Sequence, residues 1–400
     1  MTVEEDAALL IKEVKLYVVA TGVRERAAVG RGGMELVPPG LSGLFTHGEG
    51  IGSDTEISEY REQAPAYDLI LRLVTDGDLD AHTTLASGFS ASELAWQARE
   101  FQVKIAHLLT GMDAFDRERI WQRLWYTQRF MYTGRGLIQT VDEMLWDLAS
   151  RHARLPLYRL LGGARDSIPA YRNIGGRTVD DYVADAVKAR EQGFKGGKDH
   201  SYRGVAGNTE LFRALRAAMG DDFILIHDAV EHYTCDEAIR IGREMERLGY
   251  AWIEEPLQDF DLMGLRKLCA ALDLPVMAME WIGSLAGQPF NASPFIAMQA
   301  TDIVRQRAIG ITGQMKLAQL AETFGLDVHG GNSHVVLAIH NDPLYEYGSE
   351  GPLPPPQDPA TLTFQGIKVI DDGHMRIQCG DLPVPEPDWD RVESEALEGL

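Results

Sequence analysis

Asp228, Glu254 and Glu280 recur at one spacing, 254 − 228 = 26 and 280 − 254 = 26 residues. Each ends a short apolar run: Phe223-Ile-Leu-Ile-His-Asp228, Tyr250-Ala-Trp-Ile-Glu254 and Pro275-Val-Met-Ala-Met-Glu280. An apolar run followed by a helical stretch is one β/α unit. Repeated around a barrel, such units bring all three acids to the C-terminal rim, where barrel enzymes place their chemistry. Three acids crowded there repel one another. A hard divalent cation with oxygen ligands resolves the repulsion, and Mg²⁺ suits a few carboxylates plus substrate oxygens.

The strand before the first acid carries Gly193-Phe-Lys-Gly-Gly-Lys198-Asp-His200. Lys198 and His200 are two apart on an extended segment, so they share one face. In a barrel that face is the interior, one strand from Asp228. Lys198 would lie near both the metal and a carboxylate bound to it, and His200 can exchange a proton near neutral pH. Further on, Leu326-Asp-Val-His329-Gly-Gly places His329 at a strand tip, where its side chain can face the pocket. His334 and His340 fit helical or supporting positions better. Glu346, at the next tip, would be a protonated acid against a substrate oxygen, which requires a raised pKa. Together these residues suit proton abstraction. Metal and Lys198 would hold the substrate carboxylate and the enediolate charge, with His200 or His329 as base. A metal hydrolase would instead favour histidine ligands and a bound water, and Lys198 argues against it.

The elements that position these residues follow from the pattern. Strand tips fall near 172, 198, 228, 254, 280, 305, 329 and 346. A repeat of about 24–30 residues is the signature of strand–helix alternation closing into a barrel. Helices are expected over 179–192, with Tyr182, Val183, Ala186 and Val187 on one face, and over 235–248 and 312–324. Gly193, Gly249 and Gly325 follow them as C-caps. The last interval, 346 − 329 = 17, is too short for a full helix. The fold class is therefore α/β. An N-terminal domain (1–137) precedes a barrel (138–348), and a C-terminal segment (349–400) follows, with 349–361 a Pro-rich linker. Short strands near 362–364 and 368–370 are expected to pack on the N-terminal domain. In that domain 8–25 and 68–75 read as strands and 90–130 as helices, with Trp96, Phe101, Ile105 and Leu108 as core. The Gly/Pro-rich stretch Gly30–Gly52, around His47, reads as a functional lid or a disordered segment.

The formal charge of −22 opposes nucleic-acid binding and an anionic membrane surface. It leaves anionic substrates open, because a local Lys or metal can reverse the field. Cys235, Cys269 and Cys379 are too dispersed for a metal motif or disulfide framework, which fits a reducing cytosol. No leader pattern and no run near ~18 apolar residues occurs, so a cytoplasmic, non-membrane chain is expected.

Val141-Asp-Glu-Met-Leu-Trp-Asp147, Leu155-Pro-Leu-Tyr-Arg-Leu-Leu-Gly-Gly163, Asp228-Ala-Val-Glu-His-Tyr-Thr234, Trp252-Ile-Glu-Glu-Pro256 and the Glu280 strand occur in that order. From about residue 10 to 390 the chain resembles the mandelate racemase-like branch of the enolase superfamily. The resemblance implies an α+β capping domain over a modified TIM barrel, built from the N-terminal region and the C-terminal segment. It implies Mg²⁺ on Asp228, Glu254 and Glu280, with Glu255 behind them. It also implies a substrate contact at Asn173, an electrophilic acid at Glu346, and a closing loop around His47. Lys198 and His200 fall on the two positions of the family's Lys-x-Lys strand, the second being the usual base. Two departures stand out. His200 replaces a lysine, and the sixth strand, Ile303-Val-Arg-Gln-Arg307, has an Arg where the branch has the Asp of a His–Asp pair. Arg307 is then expected among the substrate contacts, and His329 lacks an evident orienting partner. A racemase needs a base on each face of the α-carbon, whereas a dehydratase works with fewer. The expected activity is dehydration of a sugar acid, an aldonate or aldarate, to a 2-keto-3-deoxy acid. The alternatives are epimerisation, lactone cycloisomerisation, or a degenerate metal-binding paralogue. The resemblance also implies a homo-oligomer, since similar family members are commonly dimers or octamers.

Overall fold

Hydrophobic alternation in the first segment lays Val14, Leu16 and Val18 opposite Leu73, Leu71 and Leu69. They join β1 (Ile11–Ala28) and β2 (Tyr60–Thr75) as an antiparallel pair, and β3 (Ala81–Gly88) completes a three-stranded sheet. This computed structural model describes residues 8–28, 60–131, 135–347, 367–378 and 387–397. The loop around His47, the 349–361 stretch, the 362–364 strand and Cys379 lie outside the described residues.

Helices cover one face of the sheet. Ala91–Phe101 begins at Ser90, whose hydroxyl accepts from Glu93 N, and it buries Leu94, Ala98 and Phe101. Trp96 lies off this stripe and is 63 % exposed, so it is not core as its spacing suggested. Its offset from Phe101 is five residues, and a helical stripe repeats at three and four. Phe101, Ile105 and Leu108 are buried with Trp121, Val141 and Leu145 in a core shared with helices Arg117–Met131 and Arg135–Ala153.

From Ile168 each short apolar run becomes a parallel strand. These are β4 (Ile168–Ile174), β5 (Gly196–Asp199), β6 (Ile224–Asp228), β7 (Ile253–Glu254), β8 (Val276–Ala278), β9 (Ile303–Arg305), β10 (Asp327–His329) and β11 (Tyr345–Tyr347). Pairing runs from β10 in order to β4, which also pairs with β11. Between β10 and β11 lies only the short helix Ser333–Ala338, and Val328 N donates to Asn341 O across that gap. Period-two alternation splits the strand residues. Leu225, Ile253, Val276, Ala278, Val304 and Val328 face the helices, while Tyr171, Ile226, Trp252, Met277 and Ile303 fill the interior.

The helices between the strands carry their own signals. Thr178 with Asp181, and Thr234 with Glu237, form capping boxes for Val179–Glu191 and Cys235–Arg247. Gly193, at φ +91°, reverses the chain into β5. Val187 is exposed, because the buried stripe of its helix is Tyr182, Ala186 and Ala189.

The C-terminal pieces divide. β12 (Ile367–Asp371) and β13 (His374–Gln378) form a hairpin that pairs antiparallel with β4 of the barrel, not with the cap as expected. Helix Trp389–Glu395 does lie on the cap. Glu393 accepts from Tyr17 Oη at 2.7 Å, the Arg72 guanidinium covers the Trp389 ring at 4.1 Å, and Leu397 N reaches Val18 O. Among the described residues no helix is long and apolar enough to cross a membrane.

Candidate active site

Strand pairing sets Asp228 beside Glu254 across β6 and β7, and Lys198 beside Asn173 across β5 and β4. Glu280 follows β8 after a turn at Met279, whose φ of +85° redirects the chain at the rim. Asp228, Lys198, Asn173 and Glu280 line one cavity of about 370 Å³ with His200, Arg305, Arg307, Gly330, Gly331 and Glu346, while Glu254 is fully buried behind Lys198. Asn173 is among them, with its Oδ1 buried and without a hydrogen-bond partner.

Cations stand between the acids. Lys198 Nζ, 1 % exposed, lies 3.2 Å from Asp228, 3.0 Å from Glu254 and 2.9 Å from Glu346. Burial works against its charge, and Glu254, Tyr171, Asp228 and Glu346 overcome it, raising its pKa well above that of a free lysine. Arg305 Nε is 2.7 Å from Glu280 and 3.3 Å from Glu254, and its Nη2 is 2.6 Å from Glu346. Arg307 pairs with the other Glu280 oxygen. Burial would raise the Glu280 carboxyl, but Arg305 and Arg307 hold it below the usual range. Burial raises Glu254. His200 Nε2 sits 3.2 Å from Asp228, and although burial opposes its charge, that carboxylate raises the imidazole pKa.

Three sequence expectations change here. Glu346 is not held as a protonated acid: burial would raise it, but Arg305 and Lys198 keep it ionised, well below the ordinary carboxylate range. His329 is not at the pocket. It is 0 % exposed inside the barrel, where Nε2 shares a 2.7 Å hydrogen bond with Tyr171 Oη and the ring packs against Tyr171 and Trp252. Its register partner Arg305 does line the cavity, but the His329 ring is turned onto Tyr171 and Trp252 and does not. Nor does it lack an orienting carboxylate. Asp342, thirteen residues on, takes Nδ1 at 3.0 Å, doing from the segment before β11 what no residue of β9 does.

Sequence reasoning also missed Arg305. Strand parity was the available signal, since 303, 305 and 307 share a face. The glycines after His329 are explained by it: a Cβ at Gly330 would collide with Arg305 Nη1, and one at Gly331 with Gln306 Oε1. A buried network braces the strand tips from behind. Asp199 Oδ1 meets His227 Nδ1 at 2.9 Å and accepts from the Ser201 hydroxyl at 2.6 Å, while Asn208 Nδ2 donates to Tyr233 Oη at 2.7 Å. Glu255, at φ +40°, turns away toward Glu231 and Asp259. Burial, with Asp228 and Glu280 nearby, pushes its carboxyl up to about 10.

Comparison with known proteins agrees with this architecture. Over 248 residues the chain is 34 % identical to L-talarate/galactarate dehydratase of Salmonella typhimurium, a match spanning 59 % of this chain and 60 % of that protein. Over 167 residues it is 38 % identical to 3,6-anhydro-alpha-L-galactonate cycloisomerase of Streptomyces coelicolor, covering 39 % of this chain and 45 % of that one. The crystal structure of D-glucarate dehydratase from Agrobacterium tumefaciens, complexed with magnesium, superposes with a TM-score of 0.70 at 28 % identity, covering 98 % of this chain and all of that one. The family model for the enolase C-terminal domain-like family matches residues 181–385, more than half of the chain. With the cap and barrel described above, the chain belongs to that family and so to the enolase superfamily.

Proposed function

We propose that the protein is a Mg²⁺-dependent dehydratase of a sugar acid that begins by removing the proton α to the carboxylate. The observation that carries this reading is the convergence of Lys198 and His200 on one cavity with Asp228 and Glu280, with Glu254 buried 3.0 Å from Lys198 Nζ. The donor set fits a hard cation: it is all carboxylate oxygen, and buried Glu254 Oε1 accepts no hydrogen bond among the described residues, with the Arg305 guanidinium facing it at 3.3 Å. Asp228, Glu254 and Glu280 would hold the ion, which would supply positive charge to the substrate carboxylate and to the enediolate.

The chain's own groups do the rest. Lys198, kept as an ammonium by its acidic surroundings, donates to the substrate carboxylate and stabilises the second negative charge as it develops. Asn173 offers a further polar contact from the neighbouring strand. His200 takes the α-proton at its imidazole, and the electron pair left on the α-carbon is delocalised into the carboxylate. Collapse of the enediolate expels the β-hydroxyl, which leaves as water with the proton His200 carries. The enol formed tautomerises to a 2-keto-3-deoxy acid. Among the described residues His200 is the one histidine lining the cavity, and His329 is buried away from it. A single base suits dehydration better than racemisation, which needs one on each face.

The test is a screen of sugar acids with Mg²⁺ in D₂O, read by mass spectrometry. The expected result is a product lighter by one water that carries deuterium. Deuterium uptake without loss of water would replace dehydration by epimerisation, and no exchange across the library would sink the reading.

A further inference from the structure

Beside the candidate active site lies a second polar chamber of about 470 Å³, which shares Arg307, Gly330 and Gly331 with it. Its other walls include Glu143, Gln306, Gln314 and Asn332. The chamber holds a half-buried acid, Glu143, and a buried acceptor on Gln306. Gln306 is 2 % exposed. Its Nε2 is committed to Gln314 O at 2.9 Å, and its Oε1 is buried without a partner. Gln139 Nε2 donates to Glu143 Oε1 at 2.9 Å, and Asn332 N donates to Gln314 Oε1 at 2.8 Å, so these donors are in use. The cation at the threshold, Arg307, is paired through Nη2 with Glu280, and its Nε is buried without a hydrogen-bond partner. Burial raises the Glu143 carboxyl, so negative charge is already costly there, and a second carboxylate would add like-charge repulsion. A buried acceptor without a donor is a group that a hydroxyl satisfies.

We infer that this chamber binds the far end of the substrate and selects a neutral, hydroxylated terminus, so that the sugar acid is a monocarboxylate of the aldonate type rather than a diacid. The inference rests on the dehydratase reading and narrows its substrate class. Gln306 accepts from a hydroxyl of the tail, and Glu143 accepts from another while excluding an anionic end. Gly331 keeps the passage open, since any side chain there would meet Gln306.

The experiment uses the full chain with Mg²⁺ and two matched pairs of six-carbon acids, gluconate with glucarate and galactonate with galactarate. Steady-state kinetics and calorimetric binding are measured for the wild type and Glu143→Gln, with circular dichroism as the check on folding. The monoacid is expected to exceed its diacid by about tenfold or more in kcat/KM, the scale set by one uncompensated like charge. In Glu143→Gln that gap should narrow through a lower KM for the diacid. A diacid preferred by the wild type, or a gap that Glu143→Gln leaves unchanged, overturns the inference while the dehydratase reading stands. If no acid of either pair binds or reacts, the sugar-acid reading falls and takes this inference with it. Preference in the wild type alone is decisive should the variant misfold.

Discussion

His200 and His329 differ in surroundings more than in sequence context. His200 stands at the rim with Nε2 on Asp228, whereas His329 has both ring nitrogens engaged, by Asp342 and Tyr171, and is closed off from the cavity. The two should therefore respond differently to the same substitution. His200→Asn is expected to abolish α-proton exchange in D₂O while leaving Mg²⁺ binding intact by calorimetry, because Asp228 keeps its oxygens. His329→Asn is expected to retain exchange and to lose stability by about 1–3 kcal/mol in urea unfolding, since Tyr171 and Asp342 are left buried and under-partnered. Exchange lost in the second variant with folding unimpaired would return His329 to the mechanism. Arg305 shows why composition alone misleads at this scale. A guanidinium within 3.3 Å of Glu254 and Glu280 and 2.6 Å of Glu346 neutralises the site from inside, in a chain whose overall charge is strongly negative.

At the scale of elements, helix Gly310–Thr323 begins without a side-chain cap of its own. The cap comes from another helix. Asp142, on Arg135–Ala153, accepts Thr312 N at 2.9 Å and the Thr312 hydroxyl at 2.6 Å. Gly310 makes this possible twice over, by its φ of +64° and because a Cβ there would run into the Asp142 side chain. Gly310→Ala should cost about 1–3 kcal/mol in chemical denaturation, through a left-handed backbone and a displaced cap. An unchanged midpoint would show that Asp142 does not hold this helix. The same helix follows β9, so loosening it should also disturb Arg305 and Arg307. This cap was not legible in the sequence, because its two halves lie 170 residues apart. The capping boxes at Thr178 and Thr234 are local, three residues from cap to partner, and such signals can be read directly.

Over the whole molecule, one half-buried and one buried histidine couple stability to pH. His82 packs edge-on against Trp389, where the last helix meets the cap, and His334 accepts from Tyr158 N beside the final barrel unit. Burial pushes both imidazoles down to about 4, from an ordinary value of 6.5. A lowered histidine means the unfolded chain takes up the proton first. Stability is then fully present above about pH 6.5 and falls as pH drops toward 4, by up to about 3 kcal/mol for each residue. His334→Gln should flatten the fall of the thermal midpoint over that window. An identical slope in the variant would remove His334 as a cause.

The sequence by itself determined that Asp228, Glu254 and Glu280 share a rim. Twenty-six residues are one strand, one helix and two turns, and a chain repeating that unit returns each strand end to the same side. It likewise determined the Lys198 and His200 face, because alternation along a strand is local. Only the tertiary structure decided burial and company. Barrel closure packed His329 against Tyr171 and Trp252 out of the cavity, brought Asp342 to its ring, and gathered Lys198, Arg305 and Arg307 among the acids. Those outcomes depend on the stagger between strands and on contacts tens to hundreds of residues apart, which no local pattern carries.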